Sequence, residues 1–293
     1  MSTYAHLHEK VIPYMHGTVE ERIAVCRADR WIAYTKAKSV LDDLDQLVVY
    51  PITQRPPCRL ILARGDNGKT ALLRQFQLRH QMKARSDGTM CAPVIRIAMP
   101  ATPDLSQIWS EILARCATTH RKSDPAHVKY SMVVAVLRSR GTRVLAIDEF
   151  NDVALARKGA ADILAGLRKL SNDLNLSIAA AGTEAALHAL SHDPQMQSRF
   201  TSVAMPRWDL EVPYRSFLNT YELLLPLAKP SNLASEGLSA LLFDLGGVAI
   251  GGTVKLLREA ATNAIRTGEE CITEETIRSA VSATDSKAVA AEL

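Results

Sequence analysis

The most restrictive feature of this sequence is a twenty-residue stretch, 59–78, in which three conformational signals follow one another without a gap. Arg59-Leu-Ile-Leu-Ala63 is a short continuous apolar run, of the kind that forms a strand buried on both faces. Arg64-Gly-Asp-Asn-Gly-Lys-Thr70 follows, and Ala71-Leu-Leu-Arg-Gln-Phe-Gln-Leu78 continues as a helical stretch. Strand, glycine-rich loop and helix in this order form a phosphate cradle. Gly65 and Gly68 let the backbone curl so that its N–H groups face an anion. The helix N-terminus adds partial positive charge. Lys69 is placed to reach the β and γ phosphates of ATP, and the Thr70 hydroxyl to ligate Mg²⁺. Arg64, Gly65, Asp66, Asn67, Gly68, Lys69, Thr70 and Ala71 are therefore the expected nucleotide-binding residues. The usual pattern G-x-x-x-x-G-K-[ST] has glycine at the position that Ala63 fills here.

Three more apolar runs bounded by turn signals are expected strands: Val94–Ile97, Val144–Ile147 and Leu176–Ala181. Helical periodicity lies between them, as in Ile163, Leu164, Leu167, Leu170 and Leu174. This alternation predicts an α/β fold, a P-loop three-layer αβα core with a parallel sheet. Trp31 to Val48 has apolar residues at spacings of three and four and predicts a helix. After about Arg207 the strand-like runs stop, with Pro206, Pro213, Pro226 and Pro230 marking the change. The expected organisation is an N-terminal extension over 1–30, a P-loop domain over 31–207 and a small all-helical lid over 208–293. Thr273, followed by two glutamates, reads as a helix N-cap.

Val144-Leu-Ala-Ile-Asp148-Glu149 is an apolar strand ending in two carboxylates. In a P-loop protein Asp148 would hold Mg²⁺ and Glu149 would polarise the attacking water; an ordinary turn after a buried strand is the alternative. Thr183 follows the fourth run and is suited either to the γ phosphate or to capping the next helix. Arg199, just before Phe200, suits an arginine finger acting across a subunit boundary, or a surface arginine near a helix end. In Gly251-Gly-Thr-Val-Lys255-Leu-Leu-Arg258 two cations are three apart; either could approach the phosphates, or both could face solvent.

Together these residues resemble the AAA+ ATPases. More narrowly the chain resembles the TniB family, which includes the TnsC-type regulators of transposition. The carriers are Arg30-Trp31-Ile-Ala-Tyr34, Gly65–Thr70, Ile147-Asp-Glu149, Ala181-Gly-Thr183, Gln197-Ser-Arg199-Phe200, and Ile250-Gly-Gly252 followed by Leu257–Ala261. The resemblance covers roughly residues 25–280. It implies an ATPase that assembles on duplex DNA as a ring or filament, recruits or activates a DDE transposase with a target-selection protein, and disassembles on hydrolysis. It also implies Thr183 as a sensor of the nucleotide state, Arg199 as a residue acting on a neighbouring subunit, and Lys255 or Arg258 as the lid sensor. A replication or repair loader, and an ATP-binding signalling scaffold that never touches DNA, remain as other readings.

Charge adds one observation. The net charge is +4, yet residues 74–140 hold eleven lysines and arginines against four acids. Sequence-independent DNA binding needs such cations. The resemblance implies DNA contacts in the segments after the phosphate-loop helix, and within this block the loop-like Pro100–Asp104 and Thr118–Lys122 are the expected ones. No apolar run reaches the roughly 20 residues of a membrane helix. The N-terminus lacks secretory features, and five scattered cysteines frame neither a zinc site nor disulfides. These point to a cytoplasmic protein with no membrane partner, and the resemblance implies a bacterial one.

Overall fold

The structure, a computed structural model, describes residues 4–156, 159–205 and 207–291, and side-chain surroundings through Ser282. Pro206, one of the four prolines at the domain change, lies outside the described residues. The chain begins with a short 3-10 helix and α1 (Val19–Arg27), α2 (Thr35–Val49), β1 (Cys58–Leu62) and α3 (Lys69–Arg79). A two-stranded hairpin, β2 (Lys83–Ala84) and β3 (Met90–Cys91), precedes β4 (Val94–Ala98), α4 (Leu105–Arg115) and α5 (Ala126–Ser139). Then come β5 (Val144–Asp148), a 3-10 helix Phe150–Leu155, α6 (Ala160–Leu174), β6 (Ser177–Gly182), α7 (Glu184–Leu190), α8 (Pro194–Gln197) and β7 (Phe200–Ala204). The rest is helical: α9 (Val212–Glu222), α10 (Glu236–Gly246), α11 (Ile250–Thr267) and α12 (Glu274–Ala291).

Two compact units result, residues 36–206 and residues 1–35 together with 207–293. The first is the αβα core. Its sheet has the order β4-β5-β6-β1-β7, every neighbouring pair parallel. Strands β5 and β6 are buried along their whole length, which is why their sequences are unbroken apolar runs. Helices cover both faces. The buried face of α6 is the expected stripe of Ile163, Leu164, Leu167 and Leu170. The fifth strand, β7, carries Thr201 and Ser202 at exposed positions on the sheet edge.

The second unit is built of helices among the described residues. Its core gathers Tyr214, Phe217, Leu218 and Tyr221 of α9 with Leu257, Ala260, Ala261 and Ala264 of α11. Gly252 is demanded by packing: a Cβ there would lie 2.0 Å from the Gly246 carbonyl oxygen. Thr273 caps α12, its hydroxyl accepting from the Thr276 N–H at 3.3 Å.

The N-terminal residues belong to this helical unit, where the sequence reading set 1–30 apart. Leu7, Val11 and Met15 pack with Leu224 and Ala228, and Ile23 and Cys26 enter the same core as α9 and α11. Arg22 donates both to the Glu270 carboxylate and to the Pro226 carbonyl. The helix expected from Trp31 starts only at Thr35. Ile32 and Tyr34, whose spacing continues its stripe, belong instead to the helical unit, with Tyr34 edge-on to Trp208 at 4.7 Å.

Candidate functional site

Residues 63–71 pass from the C-terminal end of β1 into α3. Gly68 has φ +81°, and Asp66 has φ +53°. Alternating backbone hand of this sort turns successive N–H groups inward. A Cβ added at Gly65 or Gly68 would meet nothing within 4 Å, so the glycines border open space rather than neighbouring chain. No side chain caps α3, and its first N–H groups stay available to an anion. Ala63 is not among the positive-φ positions. Its N–H donates to the Gly182 carbonyl at 3.1 Å, so alanine meets the backbone requirement there.

Lys69 is 6% exposed. Its ammonium donates to the Arg64 carbonyl at 2.8 Å and the Ala63 carbonyl at 3.2 Å. It is folded against the loop it would hold around a phosphate, and its third donor remains for an anion. Asn67 is buried, whereas Arg64, Gly65, Asp66, Thr70 and Ala71 are exposed on the open side. The donor set suits a polyphosphate.

The sheet brings the other expected residues to the same edge. Leu62 of β1 is in register with Gly182 of β6, and Ile147 of β5 with Ala180. The tips of β1, β6 and β5 thus stand side by side, each about 5 Å from the next. Asp148 is 3% exposed. One of its carboxylate oxygens accepts from the Glu149 N–H at 3.1 Å, and the other is 3.6 Å from the Arg96 guanidinium. Glu149 is exposed and held at φ +51°, a conformation uncommon outside glycine and frequent at functional sites. A hydroxyl from α3 and a carboxylate at the β5 tip are hard oxygen donors suited to Mg²⁺.

Thr183 stands at the N-cap position of α7, yet its side chain makes no capping bond. Its hydroxyl is therefore not consumed by the helix. Gly182 packs against Asn151, whose buried amide oxygen has no hydrogen-bond partner. Neither Arg96 nor Asn151 was assigned a site role by sequence reasoning. For Arg96 the signal lies only in the pairing of β4 with β5.

Arg199 lies at the opposite edge of the sheet. Its carbonyl accepts from the Cys58 N–H at 2.8 Å, where β1 begins, one strand length of about 16 Å from the loop. Its guanidinium is half-buried and 3.4 Å from the Ser171 hydroxyl, and burial pulls its pKa down. It is not brought together with the loop of its own chain. In the helical unit, Arg258 donates to Asp29 at 3.1 Å and to the Ala28 carbonyl at 3.2 Å, whereas Lys255 is exposed.

Fold and strand-tip arrangement together define a P-loop protein of the AAA+ class. A sequence profile of the family described as bacterial TniB protein matches residues 22–210, and the chain belongs to the TniB family. No curated protein matches the sequence. Among solved structures, the Aeropyrum pernix ORC2 protein in its ADPNP–ADP complexes is similar, with 18% identity and a TM-score of 0.65 over 88% of this chain and 71% of that one. The Aeropyrum pernix ORC1 protein in complex with DNA aligns over 89% of this chain and 69% of that one, at 18% identity and TM-score 0.66. Domain III of the Thermotoga maritima replication initiation protein DnaA aligns at 11% identity and TM-score 0.54, over 86% of this chain and 93% of the other. At such identities the likeness is one of fold.

Proposed function

We propose that this protein is a DNA-associated AAA+ ATPase that uses ATP as an assembly switch. The observation that carries it is the convergence of the 63–71 loop, Asp148, Glu149 and Thr183 at one edge of the sheet. Backbone N–H groups and Lys69 hold the phosphates. Thr70 and Asp148 hold Mg²⁺, which when bound neutralises charge on the phosphates. Glu149 orients the attacking water, and Thr183 contacts the γ phosphate or that water. Arg199, remote from its own loop, acts on the nucleotide of a neighbouring copy in a ring or filament. Lys255 is the better lid sensor of the two candidates, because Arg258 is engaged with Asp29.

Membership of the TniB family supports a role in transposition in a bacterial cytoplasm: assembly on duplex DNA, engagement of a DDE transposase and a target-selection protein, and release on hydrolysis. A second reading, a replication-type loader, is supported by the fold shared with ORC proteins and DnaA domain III. Imaging the protein on duplex DNA with a non-hydrolysable ATP analogue tests the common part. Lys69→Ala should abolish assembly, and Glu149→Gln should prolong it. Absence of nucleotide-dependent DNA binding at low salt refutes the proposal. Release of the assembly by a DDE transposase supports the first reading; deposition of a replicative helicase supports the second.

A further inference from the structure

Lys129 is one of the eleven cations in the basic block, but its position gives it a different task. It is 3% exposed in the first turn of α5. Its ammonium donates to the Ser106 hydroxyl at 2.9 Å and to the Lys122 carbonyl at 3.0 Å. Neither partner is charged. An ammonium taken out of water without a carboxylate is a costly arrangement, and its value lies in what it joins.

Ser106 is in the first turn of α4, and Lys122 lies in the segment between α4 and α5. At the other end, the carbonyl of Cys116, the C-cap of α4, accepts from Arg140, the C-cap of α5. The two helices therefore run side by side in the same direction, and residues 117–122 climb back along α5. Lys129 and Arg140 are about 16 Å apart along the helix. Six residues span about 20 Å when fully extended, so the climb has little slack. At its top the chain turns: the Arg121 N–H donates to the Asp124 carboxylate at 2.8 Å, and the Asp124 N–H to the Arg121 carbonyl at 3.1 Å. Arg121 and Lys122 stand exposed on this turn.

We infer that Lys129 is a positioning residue, not a phosphate contact: it pins the 118–125 turn so that Arg121 and Lys122 face a nucleic-acid backbone. This rests on the DNA-binding reading above. Pinning the Lys122 carbonyl removes chain freedom that would otherwise be lost on binding.

The test is the salt dependence of duplex DNA binding by the full chain. Each phosphate contact contributes a slope of about 0.9 in log K against log salt. Changing both Arg121→Ala and Lys122→Ala should lower the slope by about 1.8. Lys129→Met, matched in volume, should lower it by a similar amount while leaving nucleotide binding intact. Adding Lys129→Met to the pair should lower it no further. A further fall of about 0.9 in the triple variant, the signature of direct contact, overturns the inference; so does an unchanged slope for Lys129→Met. Should that variant fail to fold, Ser106→Ala removes one anchor without changing charge, and there too an unchanged slope overturns it. Amide exchange over 117–125 without DNA should rise in Lys129→Met. If the wild-type chain binds no DNA, the reading above fails and the phosphate role with it, whereas the exchange result still decides whether Lys129 holds the turn.

Discussion

Gly182 is the joint between the β6 tip and the segment after Glu149, and adding one methyl group there should separate ATP binding from ATP hydrolysis. A Cβ at this position would stand 2.8 Å from the Ala186 Cβ, 3.2 Å from the Asn151 backbone nitrogen and 3.3 Å from the Asn151 amide oxygen. Its φ is not in the left-handed region, so Gly182→Ala is a purely steric change. Overpacking of this kind costs about 1–3 kcal/mol. Relief must come from α7 or from the Phe150–Leu155 turn. Movement of the turn displaces Glu149 by a fraction of an ångström, and a misplacement of about 1 Å costs on the order of a hundredfold in rate. The expected result is a fall in kcat of about tenfold or more with little change in nucleotide affinity, because the three atoms nearest the added methyl belong to Ala186 and Asn151 and not to loop 63–71. Steady-state ATPase kinetics and fluorescent-nucleotide titration measure the two separately. Ala186→Gly removes the tightest contact and should restore part of the turnover to Gly182→Ala, although glycine in α7 itself costs about 1 kcal/mol. Unchanged turnover and melting temperature in Gly182→Ala would refute the packing argument. Loss of nucleotide affinity equal to the loss of turnover would refute the division of labour between the loop and the β6 tip.

Two further predictions concern the helical unit. Gly252→Ala drives a Cβ to within 2.0 Å of the Gly246 carbonyl oxygen and should destabilise the protein by about 3 kcal/mol; a melting temperature within a degree of wild type would contradict this. Burial raises the Glu270 carboxyl, but the Arg22 guanidinium and the Ala228 N–H outweigh it and hold the pKa below the usual 4.5. A depressed folded-state pKa means stability that is present above the unfolded value and lost as pH falls through the folded one. Thermal melts between pH 7 and 3 should therefore show Glu270→Gln less stable than wild type at neutral pH, by about 2 kcal/mol, with the gap closing in acid; parallel curves would refute the pairing.

The elements legible in the sequence are those whose environment is uniform along their length. β5 and β6 are buried at every position, and each reads as an apolar run. β7 escapes because an edge strand needs no such run: Thr201 and Ser202 face outward, and only Phe200 and Val203 are partly covered. The β2–β3 hairpin has two residues per strand, too few for an alternation. The false start of α2 has another cause. Trp31, Ile32 and Tyr34 have helical spacing by coincidence, and Ile32 and Tyr34 are apolar because of the helical unit's core. The placement of the loop, Asp148, Glu149 and Thr183 at one edge is readable because each stands at or just past the end of a strand, and parallel strands put all their C-terminal ends together. Arg96 was not readable. It sits inside an apolar run, and only the register Ala98 to Asp148 brings it to the carboxylate.

The basic block shows what a charge count omits. Arg79 is paired with Asp42 and Asp45 of α2, which lie outside the block. Arg96 faces Asp148. Arg85, Arg138 and Arg140 donate to the backbone carbonyls of Ser139, Asp173 and Cys116, Lys129 is buried, and Arg74 also has a partner. Of the rest, Lys83, Arg115, Arg121 and Lys122 are exposed, as are the partnered Arg74, Arg85 and Arg138, and the four are not one patch. Lys83 and Arg115 lie toward the edge where Arg140 meets Cys116, whereas Arg121 and Lys122 lie about 16 Å away at the other end of α5. At the turn one subunit offers a duplex about two contacts, a slope near 1.8, against the 6 or so implied by the excess of cations. Two contacts hold DNA weakly at physiological salt, and affinity must come from repeating them along the backbone. On the proposed function, this makes assembly the step that creates DNA binding, and it places control of that step with the nucleotide at the 63–71 loop.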